Sequence, residues 1–413
     1  MRIPFESSVT GTFGLSLELQ VVDPRTWELA PRGAEIVSNL LLSRTALRRV
    51  RSGARQDFIE IVSSEHEHPV GLLAQMQEIK QAVVEAAAVS ALCISGGASH
   101  PISSSALGQH PMADINVISR PDGLTGSPES FYGMKIHIGV RSGDEAVRLI
   151  HRLTSFIPHL IALSASSPFV GGVDSGWASA RLRAAQSHAG QVTFPRAIRD
   201  WEDYERYLAS LVEPDWASAD DLPWDLRLRP DLGAVEISVM DSPLTLERAC
   251  ELAGFVQALA QWVVSQDNAP GIDPATHEIN RYHACRAALD APYVTPDGKR
   301  VSLRQDVLQL LGCILPVADE IGSLEQIGAL ANQIQAAPMD IDWLRLQAHG
   351  QKELVELVQS AVWRFDQTQL PGEIDSDRWA LPADRLQTDM SLGAMFANRS
   401  SPGMSVADFN RQL

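Results

Sequence analysis

Four cysteines, Cys93, Cys250, Cys285 and Cys313, are all that the sequence holds, and no two of them form a CxxC pair. A disulfide framework and a zinc ribbon both need paired cysteines, so neither is expected and a reducing compartment follows. Each lies in an apolar or helical stretch, which makes all four candidate core thiols. Long apolar runs are also missing. Nothing approaches the roughly 18 uninterrupted apolar residues of a membrane span, and the opening MRIPFESSVTGTFG has no apolar stretch of signal-peptide length. The expectation is a cytoplasmic protein with no membrane partner. Positive charge is in deficit, with 34 Lys and Arg against 51 Asp and Glu and a formal net charge of −17. That balance argues against a nucleic-acid polymer or anionic lipid, but leaves room for a nucleotide, because one local site can be basic on an acidic surface. No internal repeat is visible. What remains is a globular composition, 45% hydrophobic and 21% charged over 413 residues, long enough for one large domain or two ordinary ones.

Hydrophobic periodicity marks the elements. Thr12 to Val22 (TFGLSLELQVV) alternates with period two, placing Leu15, Leu17, Leu19 and Val21 on one face and Ser16, Glu18 and Gln20 on the other. Gln56 to Ser63 (QDFIEIVS) predicts a second strand, with Glu60 between Phe58 and Val62 on its face. Residues 71–95 have helical spacing, GGASHP (96–101) is a loop, and 102–130, rich in Ser, Pro and Gly, suits a mobile surface loop. Tyr132 to Val140 alternates again, with Lys135 and His137 on one face and Met134, Ile136 and Ile138 on the other. Acidic residues after Gly143 open an amphipathic helix expected to reach Leu163. Short strands at Trp224–Pro230 and Gly233–Met240 are joined by a tight connection, and helices are predicted near 244–266, 277–290, 301–335 and 342–362. After about Phe365 the chain turns polar and proline-bearing. This gives a domain over 1–365 and a poorly ordered C-terminal extension over 366–413. The order of elements is not a βαβα alternation. It predicts an α+β fold with a mainly antiparallel sheet, helices packed on one face and a polar face left open.

That polar face collects Ser16, Glu18, Gln20, Glu60, Lys135, His137, Arg227, Arg229, Glu236 and Ser238. Three carboxylates among cations on one sheet face are costly unless they meet each other, a metal or a ligand. Hard oxygen donors on separate strands suit Mg²⁺, and neighbouring arginines suit phosphate or a substrate carboxylate. Spacing alone leaves an ordinary ion-paired surface equally open.

The order of short motifs decides between them. TFGLSLELQVVDP resembles the T-x-G-x-E-x-E-x-Q-x-V-D strand of the type 2 glutamate–cysteine ligases, or carboxylate–amine ligases. IEIVS is similar to that family's second acidic strand, GASHP to its AGTHP-type loop, and GMKIHIGV to its G-x-H-V-H-V-G strand. ALSASSPFVGGVDSGWASARLR, WDLRLRPDLGAVEISVMDSP and INRYHACRAALDA continue the likeness collinearly over about 10–362. The resemblance implies a glutamine-synthetase-like sheet cupping ATP, Mg²⁺ and an amino acid, small-molecule acid and amine substrates, and a homodimer. It implies amide formation through an acyl phosphate. Carried onto this chain, Glu18, Glu60 and Glu236 would be metal ligands. Arg227 and Lys135 would contact nucleotide or substrate, and His137 would line the catalytic site. Asn280 and Arg281 keep an N-R pair of structural or substrate-facing role, and Ser166, Ser167 and Arg183 are packing or site residues.

Several charged positions differ from the family pattern. Ser16 stands for a glutamate, Lys135 for a histidine, Ser238 for an arginine, Gly53 for an acidic residue and Ile279 for a glutamate. Losing one metal ligand or phosphate-binding arginine costs on the order of 10²–10⁴ in rate, so reduced turnover is expected, with Lys135 able to hold a phosphate oxygen as a point charge. The competing readings are a catalytically impaired ligase fold acting as a binding or regulatory module, and a hydrolase of γ-glutamyl amides that uses fewer metals.

Overall fold

The computed structural model describes residues 2–40, 49–53, 55–102, 131–189, 193–211, 224–266, 271–350 and 353–366. The surface loop expected over 102–130 and the extension expected over 366–413 lie almost wholly outside these residues.

Eleven strands are present among the described residues: β1 (Phe13–Val22), β2 (Val50–Ser52), β3 (Phe58–Val62), β4 (Cys93–Ser95), β5 (Gly133–Gly139), β6 (Phe169–Val170), β7 (Val173–Asp174), β8 (Leu226–Arg229), β9 (Ala234–Asp241), β10 (Pro292–Val294) and β11 (Arg300–Ser302). Seven of them form one sheet in the order β2-β3-β1-β5-β9-β8, and β4 pairs with β1 beside β5. Every pairing in it is antiparallel. Twelve helices follow the chain: α1 (Gly33–Asn39), α2 (Pro69–Val89), α3 (Gly143–Leu153), α4 (Ile157–Ser164), α5 (Ala180–Ala189), α6 (Trp201–Leu211), α7 (Leu246–Ser265), α8 (Pro274–Ala287), α9 (Leu303–Glu320), α10 (Leu324–Ala336), α11 (Asp340–Gly350) and α12 (Leu354–Asp366). The α+β architecture expected from the sequence is the one the chain adopts.

The alternating strands separate their faces as period two requires. Leu15, Leu17, Leu19 and Val21 of β1 are buried with Ile59 and Ile61 of β3, Met134, Ile136 and Ile138 of β5, and Val235 and Ile237 of β9. They share one core with Leu72, Met76, Ile79 and Val83 of α2 and Leu252, Phe255, Val256 and Leu259 of α7. Helix starts follow local chemistry. Ser142 caps α3 by accepting from Glu145 N, Thr245 caps α7 by accepting from Arg248 N, and Asp273 with Pro274 opens α8.

Several predicted boundaries move. The helix expected over 71–95 ends at Val89; Ala91, at φ +52°, turns the chain so that Cys93–Ser95 becomes β4. The helix expected to reach Leu163 is split into α3 and α4, with Pro158 in the first turn of α4. The helix expected over 301–335 is split at Gly322 (φ +74°) into α9 and α10, and that near 342–362 is α11 and α12. Cysteine placement also differs: Cys250 and Cys285 are core thiols, whereas Cys93 is half-buried and Cys313 exposed. No helix among the described residues is long and apolar enough to cross a membrane.

Candidate active site

Register places the charged residues. Across β1 and β3, Glu18 is directly opposite Glu60; across β1 and β5, Ser16 is opposite Lys135. Across β5, β9 and β8, His137, Glu236 and Arg227 form one row. Between Met134 and Ile136, β5 spans two positions while β9 spans three, so a bulge lies opposite Lys135. Bulges of this kind re-aim side chains beside sites.

Two like charges facing each other across strands are unfavourable without a counter-charge. Lys135 provides it. Its Nζ lies 3.6 Å from Glu18 Oε1 and 3.4 Å from Glu60 Oε1. Glu18 Oε2 also accepts from Gly133 N at 2.8 Å, and Glu60 accepts from the Ser16 hydroxyl. Burial disfavours the charge on Lys135, but Glu18, Glu60 and Glu236 outweigh it and hold the amine above its usual range. The two positions that depart from the family pattern, Ser16 and Lys135, are therefore cross-strand partners that both donate to Glu60.

The second set centres on Glu236, whose side chain is 2% exposed. It accepts from His137 Nε2 at 3.0 Å and Arg229 NH1 at 3.0 Å, and lies 3.7 Å from Arg227 NH1. Burial alone would raise its pKa. The His137 hydrogen bond and the two guanidinium groups reverse that and bring it to about 2. Arg229 is raised by its hydrogen bond to Asp231, and its two nitrogens hold Asp231 at 3.0 and 2.8 Å.

All six predicted site residues thus stand on one sheet face, in two sets rather than one. The expectation that Glu18, Glu60 and Glu236 jointly hold Mg²⁺ conflicts with the charge beside them. An ammonium already sits between the first two carboxylates, and two guanidinium groups and an imidazole surround the third. Among the described residues no group of three or more His, Cys, Asp and Glu is arranged to hold a metal ion.

The remaining candidates are structural. Gln20 is buried and donates to Gly96 O at 3.1 Å and Gly97 O at 2.8 Å. Ser238, in place of an arginine, donates to Trp224 O and Asp225 O. Gly53 leaves room for the Phe58 ring, which a Cβ there would meet at 2.1 Å. Asn280 clamps β10 through reciprocal bonds with Val294, and Ile279 is exposed. Arg281, fully buried, holds Asp225 through two bonds of 2.7 and 2.9 Å. Arg183 lies over the Trp177 ring. Sequence reasoning did not single out Asp241, a buried acceptor for Ser166 N, Ser167 Oγ, Ser179 Oγ and Arg181 Nε. The concentration of serines in 164–179 was the available signal.

The fold is an α+β domain whose antiparallel sheet carries acidic and basic side chains together on one polar face. Comparison with known proteins gives the family. The description Glutamate-cysteine ligase family 2(GCS2) matches residues 12–359, and the chain belongs to that family. A protein of Bordetella avium (strain 197N) called "Putative glutamate--cysteine ligase 2" is 39% identical over 88% of this chain and 91% of its own. One of Janthinobacterium sp. (strain Marseille) with the same name is 34% identical over 87% and 99%. Among solved structures, a glutamate–cysteine ligase of Francisella tularensis in complex with AMP aligns at a TM-score of 0.58 and 13% identity, covering 99% of this chain and 98% of that chain. A bifunctional glutathione synthetase from Pasteurella multocida aligns at 0.55 and 13% identity, over 87% of this chain and 51% of that chain. At such identity these two speak for the fold.

Proposed function

We propose that the chain is an ATP-dependent carboxylate–amine ligase of glutamate–cysteine type, working in the cytoplasm as a homodimer, with a catalytic domain over 1–365 and an extension over 366–413. The observation that carries this is the arrangement of Glu18, Glu60, Lys135, His137, Arg227 and Glu236 on one face of a sheet whose strands belong to this family. The AMP bound to the Francisella relative supports a nucleotide substrate. ATP would enter as its Mg²⁺ complex, the metal being part of the substrate.

The substrate carboxylate oxygen attacks the γ-phosphorus, the bond to the β,γ-bridging oxygen breaks, and ADP leaves. The amine nitrogen then attacks the acyl carbon of the acyl phosphate, loses a proton, and expels inorganic phosphate. Arg227 and Lys135 supply positive charge to the phosphate oxygens, since charge neutralisation and positioning carry most of phosphoryl-transfer catalysis. Three donors on an ammonium leave Lys135 able to serve a phosphate as well as Glu18 and Glu60. His137, fixed by Glu236, lines the same face. Incubating the protein with Mg²⁺·ATP, glutamate and a panel of amines including cysteine tests this. Amine-dependent ADP release is expected, and its absence with every pair overturns the assignment.

A second reading is favoured by the engagement of Glu18 and Glu60 with Lys135 and by Ser238 in place of an arginine: a ligase fold that binds or regulates without turnover. Calorimetry separates the two. Mg²⁺·ATP binding without product formation supports the second.

A further inference from the structure

We propose that the Lys135 ammonium is a built-in cation that takes the place of a divalent metal at the Glu18–Glu60 carboxylate pair, so that this half of the site works without a resident metal ion. The inference deepens the ligase reading above, but its evidence is geometric. Glu18 and Glu60 face each other across β1 and β3, and the Nζ reaches an oxygen of each, at 3.6 and 3.4 Å. The other contacts of the pair are also made by the protein: Gly133 N donates to Glu18, and the Ser16 hydroxyl donates to Glu60. An incoming cation would have to displace the amine or share oxygens with it. The Lys135 stem is held on β5, with the β9 bulge opposite. Glu236 offers no alternative anchor to such a metal, being bonded to His137 and Arg229 with Arg227 beside it.

An ammonium differs from Mg²⁺ in what it can do. It carries one charge, donates hydrogen bonds and brings no coordinated water. The site therefore positions phosphate through fixed donors, and the only divalent ion it needs is the one that arrives on the nucleotide.

The test reads metal binding, not turnover. Mn²⁺ suits the same oxygen donors as Mg²⁺ and is followed by electron paramagnetic resonance on the full chain without nucleotide. Lys135→Ala is expected to bind Mn²⁺ roughly 10- to 100-fold more tightly than the wild type. Adding Glu18→Gln or Glu60→Gln to Lys135→Ala is expected to abolish the gain, and Lys135→Arg to behave as wild type. Unchanged affinity in Lys135→Ala, or a gain that survives both glutamine substitutions, overturns the proposal. Should Lys135→Ala fail to fold, Lys135→Met keeps the apolar stem and makes the same prediction. Independently, Glu60→Gln in the wild-type background is expected to leave Mn²⁺ affinity unchanged, and a loss there overturns the idea. Metal affinity reads this inference and ADP release reads the ligase assignment, so either can fail alone.

Discussion

Arg281 shows how a motif residue divides between chemistry and packing. Its side chain is fully buried and makes two bonds to the buried Asp225. Removing one partner of such a pair strands the other charge. Arg281→Met is expected to lower unfolding free energy by about 3–5 kcal/mol in urea titrations, and Asp225→Leu with Arg281→Met to recover most of it. Equal loss in both variants would discard this account. His100 gives a pH prediction. Burial, against a backbone hydrogen bond at Trp27, lowers its pKa from 6.5 to about 4, and burial lowers His277 as well. The unfolded chain therefore takes up protons below pH 6.5 that the folded chain refuses. Stability should be full above that pH and fall toward pH 4, at most about 1.4 kcal/mol per pH unit for each group. His100→Phe should flatten the melting temperature across this window; an unchanged slope would count against it. Glu236 acts lower. Its carboxylate, brought from 4.5 to about 2, contributes stability that is complete above 4.5 and lost as pH falls toward 2.

At the scale of elements, the turn between β8 and β9 sets the row of Arg227 opposite Glu236. Gly233 stands there at φ +60°, and a Cβ would meet Glu6 O at 2.4 Å. Gly233→Ala is expected to cost about 1–3 kcal/mol by thermal unfolding. Gly171, at φ +56° with nothing within 4 Å, should tolerate Asn far better. Similar losses at both sites would mean that contact with the N-terminal arm is irrelevant. Element by element, legibility followed length. β1 and β5 were clear because ten and seven residues give several cycles of alternation. β2 and β4, of three residues each, give almost none, and their pairing with β3 and β1 supplies what their own sequence does not. The helix α6 was missed as well, although its first turn carries Glu202 and Asp203. Pro158 and Gly322 divided helices whose apolar spacing runs through the break, so periodicity alone joined them.

For the whole molecule, α12 closes the fold. Val358 and Val362 cluster with Val22 of β1, Leu357 and Ala361 with Leu244 and Trp343, and Phe365 joins the main core. A chain ended after Asp366 is expected to keep its melting temperature. A chain ended at 352 should lose several kcal/mol, at roughly 1.5–3 kcal/mol for each large apolar side chain returned to water. A large drop from the first cut would place part of the fold beyond 366.

The sequence by itself determined the sheet's two faces, because alternation with period two is a local property that any register preserves. It also determined the family, because glycine, proline and apolar positions stand in a fixed order along the chain. It named the six charged residues of the candidate site. Only the tertiary structure decided their grouping. Whether Lys135 meets Glu18 and Glu60, or His137 and Arg227 meet Glu236, depends on which strands are neighbours and on one extra residue in β9. Those are long-range pairings that no local pattern contains, and they turn three expected metal ligands into carboxylates already engaged by the protein's own cations.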